Sequence, residues 1–371
     1  MRVGILGCGQ LARMLALAGR NAGIGFAFVA LDGESHVCVD GLGTVVPWDS
    51  MDLSAAALFE AMGGPDVITV ERENVNVELL RALQAHCPVH PNPDAVSHCQ
   101  NRLRERRLLS SLDISVAPYA EAFTREQVEA ALAELGLPAV VKHASEGYDG
   151  KAQWRVREPA DIARFQPDGS GEWLVEKWVG FSCEMSLVAV RSTAGEVAVY
   201  PPTQNRHRDG VLLRSMAPAP SVPAEQVALA TGYIERLLDA MDYVGVLTME
   251  CFVVADDVLV NELAPRVHNS GHWTQQGNVI SQFENHLRAI LGLPLGNTSL
   301  NGYAGLVNIL GQPPGPACYA ELGGCASLHW YEKEPRPGRK LGHVALAGAA
   351  ADDVADHLDR VERALYGQVH T

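Results

Sequence analysis

Apolar and polar positions along the first ninety residues follow two periods. Short apolar runs predict buried β-strands, and the amphipathic stretches that follow them predict helices. The predicted elements are strands over 2–6, 26–31 and 66–71 and helices over 10–22 and 78–86. Alternating strands and helices form a parallel sheet with helices on both faces. We therefore predict a parallel α/β domain over 1–95, ended by the Pro- and Asn-rich segment HPNPDAV.

After this boundary the pattern predicts further helices and strands. The helices are expected over 99–112, 124–135 and 224–241, and the strands over 138–144, 173–179, 183–191, 244–254 and 258–263. The first of these helices carries several arginines, which we interpret as a solvated basic face. From about residue 296 the chain is rich in Gly and Pro and contains short β-like runs. A second domain over 96–295 and a small third domain over 296–371 follow.

Composition limits the possible partners and location. The chain of 371 residues is 47% hydrophobic and carries a net charge of −15, which excludes a polyanionic partner such as nucleic acid. Its 8 cysteines form no C-x-x-C pair, as expected of free thiols in a reducing compartment. No apolar run approaches the roughly 18 residues that a membrane helix requires. We expect a cytoplasmic protein without membrane contact.

A glycine-rich turn after the first strand is the first candidate for chemistry. The segment Gly7–Ala12 matches Gly-x-Gly-x-x-Gly/Ala, and Asp32 stands where a ribose-binding acid would be. This pattern is typical of a dinucleotide site at a helix N-terminus. It leaves an NAD-dependent oxidoreductase open as one function.

A second glycine-rich stretch, VVKHASEGYDGKAQW, points to a different chemistry. Lys142 lies on a predicted strand, and Lys151 follows a loop that contains Gly147 and Gly150. The glycines allow a backbone to close over phosphates, and the lysines supply positive charge. The alternative is a surface hairpin with solvated lysines.

Two carboxylates downstream form a candidate metal site. Glu250 and Glu262 lie on consecutive predicted strands, in segments apolar enough for half-burial. A three-residue loop over 255–257 would place them opposite each other on one face, whereas a two-residue loop would send them to opposite faces. Paired carboxylates with substrate phosphates suit Mg²⁺. Together with the lysines, they predict a nucleoside-triphosphate site.

The segment after the second carboxylate offers cations and histidines. Arg266 and His268 are expected to face a transferred phosphate or an acceptor anion. His268 and His272 are spaced as in a helical zinc site, but Ser270 and a glycine interrupt the helix and no third ligand is evident. Near the C-terminus, Arg339 and Lys340 are either part of the site or a basic surface turn.

These residues resemble the ATP-grasp superfamily, in which ATP lies between two α/β lobes and activates a carboxylate as an acyl phosphate. Six motifs in order are similar to the 5-(carboxyamino)imidazole ribonucleotide synthase family: GCGQLARM, EGYDGKAQW, NRHRDGVL, NELAPRVHNSGH, SQFENH and RPGRKLGH. The resemblance implies an α/β ATP-grasp fold with an N-terminal Rossmann-like (pre-ATP-grasp) domain, an ATP-lid subdomain over 140–190 and a small C-terminal β-rich domain.

The resemblance also implies roles for individual residues. ATP is expected to contact Arg102, Lys142, Lys151, Glu176, Val179 and Glu184, and Mg²⁺ is expected to bind Glu250 and Glu262. The ribonucleotide substrate is expected near Gly9, Gln10, Leu11, Glu71, Tyr148 and Arg339. The catalytic residues are expected to be Asp149, Arg266, His268 and Lys340, with Asp149 beside the substrate amine.

The implied reaction is ATP-dependent carboxylation of 5-aminoimidazole ribonucleotide with bicarbonate, through carboxyphosphate, in purine biosynthesis. The cofactors are ATP and Mg²⁺, and the resemblance implies a homodimer. Another ATP-grasp ligase, such as a formate-dependent glycinamide ribonucleotide transformylase, remains an alternative, as does the oxidoreductase.

Overall fold

The computed structural model describes residues 1–145, 153–162, 165, 171–277 and 279–369. Within these residues the strands form three sheets, which helices cover. No helix in this part of the chain is both long and apolar enough to span a membrane.

The N-terminal sheet is parallel, as the alternating pattern predicts. Its strands are β1 (Arg2–Leu6), β2 (Gly25–Leu31), β3 (Thr44–Trp48) and β4 (Val67–Val70), and its helices are α1 (Gln10–Arg20), α2 (Ala55–Ala61) and α3 (Val77–Leu83). The order is β3-β2-β1-β4, and a short 3-10 helix covers Val37–Val39. Ile5 and Phe28 are fully buried because helices cover both faces of the sheet. The loops after β1 and β4 therefore meet at one edge.

A second, antiparallel sheet follows two short helices. The helices are α4 (Pro93–Cys99) and α5 (Arg102–Ser111), and the strands are β5 (Tyr119–Ala122), β6 (Ala139–His143), β7 (Gln153–Val156) and β8 (Trp173–Lys177). Helices α6 (Arg125–Leu135) and α7 (Pro159–Ile162) accompany this sheet, whose order is β5-β8-β6-β7. We call it the lid sheet. It begins before residue 140 and ends at Lys177, whereas the sequence predicted a lid over 140–190.

The helix predicted over 99–112 begins only at Arg102, and the segment before it, predicted as a boundary, contains α4 instead. The side-chain oxygen of Asn101 accepts hydrogen bonds from the N–H groups of Leu103 and Arg104, at 3.0 and 3.1 Å. Asn101 is therefore the N-cap of α5, and a cap residue has non-helical dihedrals. The chain turns at this residue, and α5 begins directly at the edge of the lid sheet.

The third and largest sheet includes the remaining strands. They are β9 (Cys183–Arg191), β10 (Val197–Val199), β11 (Thr203–Arg208), β12 (Val211–Ala217), β13 (Gly245–Val254), β14 (Asp257–Ala264), β15 (Tyr303–Leu310), β16 (Ala326–Trp330) and β17 (Lys340–Gly348). Their order is β14-β13-β9-β11-β12-β15-β17-β16, with β10 beside β9. The C-terminal strands thus extend this sheet through the β12–β15 pair.

Helices fix the position of the large sheet. They are α8 (Ala224–Ala240), α9 (Gln282–Ile290), α10 (Pro316–Ala320) and α11 (Ala351–Tyr366), with a 3-10 helix over Asn269–Gln275. α9 lies against α1 and β13, so apolar residues of the N-terminal sheet and of the large sheet share one core. Because of this shared core, the edge of the N-terminal sheet and the large sheet have a fixed relative position.

Candidate active site

A cleft of about 680 Å³ lies between the lid sheet and the large sheet. The predicted site residues that line it are Arg102, Lys142, Glu176, Val179, Glu184, Glu250, Glu262, His268 and Lys340. The structure therefore brings most of the predicted ATP and metal residues into one space. Tyr148, Asp149 and Lys151 lie outside the described residues.

Glu250 and Glu262 face each other, but not for the predicted reason. The loop between β13 and β14 has two residues, not three, since Val254 pairs with Asp257. The register then shifts between Glu250 and Cys251, so that Asn261 is an extra residue on β14 and Glu250 pairs with Glu262. A β-bulge of this kind corrects the face on which the following side chain points.

The surroundings of the two carboxylates differ. Burial, and next the charge of Glu262, raise the pKa of Glu250 to about 7. Glu262 is exposed to the open cleft, contrary to the half-burial expected from its apolar sequence neighbours. Two carboxylates side by side, one of them with a raised pKa, are a donor set that fits a hard divalent cation such as Mg²⁺.

Lys142 is held at the lid side of the cleft by a buried acid. Its Nζ lies 2.6 Å from Glu176 Oε2 and donates to Asn261 Oδ1 at 3.4 Å. Glu176 also pairs with Arg106, whose Nη2 lies 2.7 Å from Glu176 Oε1. Burial tends to raise the pKa of Glu176, but these two cations outweigh it and lower the pKa to about 2. The Glu176 carboxylate is thus paired with two cations of the protein itself.

The prediction of a solvated basic face on α5 is wrong for Arg106. Its side chain is 1% exposed, and its Nη1 lies 2.9 Å from Glu105 Oε1. Its Nη2 donates to the carbonyl of the bulge residue Asn261 at 2.6 Å, which links α5 to the metal-site hairpin. The signal in the sequence is spacing, because Arg106 lies three residues from both Leu103 and Leu109, which are buried.

Another acid of the cleft, Glu184, contacts a histidine. Its Oε2 lies 2.7 Å from His207 Nδ1, and both residues line the cleft. Burial lowers the pKa of His207, but its hydrogen bond to Glu184 and the charge of Glu250 raise it above the usual value overall. His207 belongs to the NRHRDGVL motif, but the sequence assigned it no role.

Arg266 and His268 follow β14 on the side of the N-terminal sheet. The Arg266 guanidinium binds both carboxylate oxygens of Glu73, at 2.6 and 3.2 Å. His268 Nε2 lies 3.4 Å from Glu250 Oε1, and burial holds the pKa of His268 well below its usual value. Glu73 lies two residues after Glu71 in VERENV, and no local feature of the sequence singles it out.

The first glycine-rich turn holds a carboxylate of the protein itself. Glu71 accepts hydrogen bonds from the N–H groups of Gly9 and Ala12, the latter at 2.9 Å, at the N-terminus of α1. Gly7 has a φ of +118°, and a Cβ there would lie 2.3 Å from Glu71 Cγ. The fingerprint glycines therefore make room for Glu71 at the place where a dinucleotide would put its pyrophosphate. Leu11 is buried in the core and can offer a ligand only backbone groups.

This arrangement overturns the oxidoreductase alternative. The supposed ribose acid, Asp32, accepts a hydrogen bond from the N–H of Ser50 at 2.9 Å. Both features on which a dinucleotide site depends, a free helix N-terminus and a ribose acid, are thus occupied by protein groups.

Basic residues of the C-terminal loop lie near the same edge. Lys333 donates to Gln10 Oε1, and burial lowers the pKa of Lys333. Arg339 donates to the carbonyl of Glu334 at 3.2 Å, while Lys340, at the start of β17, lines the cleft. Lys333 was missed, although it lies three residues before the RPGRKLGH motif, because nothing local distinguishes it from a solvated lysine.

The structure does not favour zinc at His268 and His272. Their Nδ1 atoms are hydrogen-bonded to Ser270 Oγ at 2.9 Å and to the Gln282 amide at 3.1 Å. Among the described residues, no three His, Cys, Asp or Glu side chains are grouped so that they could hold a metal ion. This leaves the Glu250–Glu262 pair as the candidate, with the remaining ligands supplied by phosphates.

Comparisons with known proteins agree with this geometry. The ribonucleotide synthetase pre-ATP-grasp domain matches residues 1–100, the ATP-grasp domain residues 107–283, and the phosphoribosylaminoimidazole carboxylase C-terminal domain residues 304–357. The fold and the site thus place the chain among the ATP-grasp ligases, which are ATP-dependent enzymes.

Individual relatives narrow this class. The N5-carboxyaminoimidazole ribonucleotide synthase of Pseudomonas aeruginosa is 40% identical over 98% of this chain and 99% of its own. The N5-carboxyaminoimidazole ribonucleotide synthetase structure from Thermus thermophilus has a TM-score of 0.91 at 40% identity, covering 98% of both chains. The Aspergillus clavatus synthase in complex with ADP and 5-aminoimidazole ribonucleotide has a TM-score of 0.87 at 27% identity, covering 98% of both chains. The chain belongs to the N5-carboxyaminoimidazole ribonucleotide synthase family.

Proposed function

We propose that this chain uses ATP to carboxylate the exocyclic amine of 5-aminoimidazole ribonucleotide with bicarbonate, in de novo purine biosynthesis. It is an ATP-dependent ligase, and its named relatives are N5-carboxyaminoimidazole ribonucleotide synthases. The observation that carries the proposed site is the facing of Glu250 and Glu262 across β13 and β14, in the same cleft as Lys142.

ATP binds in the cleft between the lid sheet and the large sheet in this proposal. Its phosphates lie near Lys142 and Arg102, and Lys151 is predicted to join them. Glu176 and Val179 flank the adenine, and Glu184 lies near the ribose. The Glu176 and Asn261 contacts of Lys142 hold its ammonium at the cleft surface, so little reorganisation is needed when charge develops on the phosphoryl oxygens.

Glu250 and Glu262 would hold Mg²⁺ in this site. Burial and, next, the repulsion of Glu262 raise the pKa of Glu250, and a divalent cation bound between the two acids would relieve that repulsion. Bound there, the ion supplies neutralisation of phosphoryl charge.

Phosphoryl transfer then requires a bicarbonate oxygen in line with the γ-phosphorus. The oxygen forms a new bond to phosphorus while the bond to the ADP oxygen breaks, which gives carboxyphosphate and ADP. Arg266, held by Glu73, and Lys340 bring the two anions together, and His268 lies beside Glu250 at the same end of the cleft. A low pKa keeps the His268 ring neutral, so that it can orient an anion by hydrogen bonding.

The amine acceptor binds at the edge of the N-terminal sheet in this proposal. Gly9, Gln10 and Glu71 lie together there, and Lys333 joins Gln10 from the C-terminal loop. Arg339 and the predicted substrate residue Tyr148 complete the set. The amine nitrogen attacks the carboxyl carbon, the carbon–oxygen bond to phosphate breaks, and Asp149 is predicted to accept the amine proton.

The location and assembly are also proposals. We propose a cytoplasmic protein, because all 8 cysteines, each within the described residues, are free thiols. We propose a homodimer on the strength of the family resemblance, and light scattering of the purified chain tests it.

Glu262→Gln tests the metal pair directly. The amide cannot replace an anionic ligand of Mg²⁺, so we expect ATP turnover to fall by about 10³-fold or more, the scale of losing a central electrostatic contact. Glu158→Gln, an exposed acid of the lid sheet region, is the control and retains turnover. Turnover by Glu262→Gln near the wild-type level would contradict the proposal.

Substrate dependence separates this activity from its alternatives. We expect phosphate release that needs both bicarbonate and 5-aminoimidazole ribonucleotide, with formate and glycinamide ribonucleotide inactive. ATP hydrolysis that is indifferent to the ribonucleotide, or turnover with formate, would count against the assignment.

A further inference from the structure

Gln282, the first residue of α9, holds the peptide of His268 at two points. Its Oε1 accepts from the His268 N–H at 2.9 Å, and its Nε2 donates to the His268 carbonyl at 2.6 Å. The two contacts fix the orientation of the Gln282 amide. If the amide were flipped, its NH₂ group would face the His268 N–H and its oxygen would face the His268 carbonyl. Gln282 is fully buried, and a Cβ on Gly271 would lie 2.7 Å from its Oε1. Gln282 therefore clamps the backbone that carries His268.

Behind Gln282 stands a stack of buried imidazoles. Gln282 Nε2 lies 3.1 Å from His272 Nδ1, and the His272 ring lies 4.8 Å from the His343 ring on β17. His329 of β16 also stacks on His343, with ring centroids 4.5 Å apart and an interplanar angle of 7°. We call Gln282, His272 and His343 the Gln–His stack. It connects the start of α9 to the C-terminal strands.

Hydrogen bonds fix the ring of His343. Its Nδ1 lies 2.6 Å from the Tyr331 hydroxyl, and its Nε2 lies 3.0 Å from Gln275 Oε1. Burial, and next the nearby His329, lower the pKa of His343, so its ring is neutral. A neutral imidazole has one donor and one acceptor, and this pattern is satisfied when Tyr331 donates to Nδ1 and Nε2–H donates to Gln275.

The stack lies between two residues of the proposed site, and this position is the reason to assign it a role. At one end, Gln282 holds the backbone of His268, whose Nε2 lies 3.4 Å from Glu250 Oε1. The other is β17, which begins with the cleft residue Lys340 three residues before His343. An apolar core would fill the same space without desolvating polar groups, whereas a satisfied polar network specifies one arrangement. The arrangement specified here fixes the position of His268 relative to Lys340.

We propose that the Gln–His stack is a positioning element that aligns His268 with Lys340, so that carboxyphosphate is retained until the amine attacks it. The inference rests on the proposed function. None of its members touches the reacting atoms, since they act through the His268 backbone and through β17. Loosening the stack should therefore leave ATP binding intact and release carboxyphosphate to water, which appears as ATP hydrolysis without carboxylation.

Gln282→Met and His343→Phe test this role in the full-length enzyme. Methionine keeps the length of glutamine without the clamp, and phenylalanine keeps a ring without its nitrogens. We expect carboxylation kcat to fall by about 10- to 100-fold, the cost of a small misplacement. The KM for ATP should stay within about twofold. Phosphate released per ribonucleotide carboxylated should rise above one.

His286→Phe is the matched control. His286 is as buried as the stack and lies on the same helix α9, but it contacts Thr69 Oγ1 at 2.9 Å and the Val246 N–H at 3.0 Å. It should lower the melting temperature while phosphate release and carboxylation stay equal. Coupled turnover by both stack variants, or the same uncoupling in His286→Phe, would overturn the inference. A wild-type enzyme that does not carboxylate the ribonucleotide would overturn the proposed function instead.

Discussion

Arg266 illustrates how a single side chain of this site is held by a residue remote in the sequence. Its guanidinium meets Glu73, 193 positions earlier, in a two-point ion pair. Burial tends to raise the pKa of Glu73, but Arg266 lowers it below the usual value, so both groups are charged. A planar guanidinium fixed on one edge presents its remaining donors in a defined direction.

Glu73→Gln should therefore weaken the acyl-transfer half of the reaction. The Gln amide has one acceptor oxygen, whereas the Glu73 carboxylate has two that both accept from Arg266. The guanidinium therefore loses its fixed orientation. We expect carboxylation kcat to fall by about 10- to 100-fold, with a smaller change in the KM for ATP. Steady-state assays with Glu78→Gln as the control, an exposed acid paired with Arg81 on α3, check this. Equal kcat in the two variants would rule out a positioning role for Glu73.

Glu176 gives a prediction for the pH dependence of stability. Its pKa is about 2 in the folded chain against an ordinary 4.5, so the folded protein binds fewer protons between these values. Its contribution to stability is complete above about pH 4.5 and is lost as the pH falls towards 2. Glu176→Gln also leaves Lys142 without its acid and Arg106 with Glu105 alone, which costs about 3–5 kcal/mol near pH 7.

The melting-temperature difference between wild type and Glu176→Gln should accordingly be large at pH 7 and shrink as the pH is lowered from 4.5 towards 2. Circular dichroism melts across this range measure it. Glu172→Gln, an exposed acid just before β8, serves as the comparison. A difference that stays constant with pH would contradict the assigned ion pairs.

At the scale of elements, the hairpin of β13 and β14 determines whether the two acids can cooperate. The bulge at Asn261 compensates for a loop one residue shorter than predicted, and the bulge residue contacts both Arg106 and Lys142. Side chains alternate between the two faces of a strand, so Glu262 would point to the opposite face if Asn261 took a regular place in the ladder.

The exchange variant Asn261→Glu/Glu262→Asn should abolish ATP turnover, because the carboxylate then stands at the bulge position and an amide pairs with Glu250. Asn261→Ala leaves Glu262 opposite Glu250 and removes only the side-chain contact with Lys142. Because it loses one hydrogen bond, it should retain turnover within about tenfold of wild type. A phosphate-release assay compares the two. An active exchange variant would show that the facing pair is not required.

The secondary-structure elements and most charged residues of the candidate site could be predicted from the sequence, but the ion-pair partners of those residues could not. The periodicity of hydrophobic residues predicted the bounds of β1 and β9 correctly, and the ends of most predicted helices to within a few residues. The bulge was not accessible, since it depends on side chains from α5 that arrive through tertiary packing. Arg106 and Glu73 were missed for the same reason, because a buried ion pair looks like a solvated charge until its partner is known.

At the scale of the whole molecule, each of the three sheets contributes residues to the proposed site. The lid sheet carries Lys142 and Glu176, the large sheet carries the metal pair, and the N-terminal sheet carries Glu71 and Glu73. The C-terminal strands extend the large sheet, so that β17 begins at the cleft. The three sheets thus join the proposed ATP site to the proposed amine site.

The central claim is that phosphoryl transfer to bicarbonate precedes carboxylation within this single site. Turnover with ¹⁸O-labelled bicarbonate and unlabelled ATP tests it, with the released phosphate analysed by mass spectrometry. Attack by a bicarbonate oxygen on phosphorus, followed by cleavage at carbon, predicts ¹⁸O in the phosphate, in proportion to ribonucleotide carboxylated. Phosphate that takes its oxygen from water, with carboxylation proceeding normally, would contradict the account.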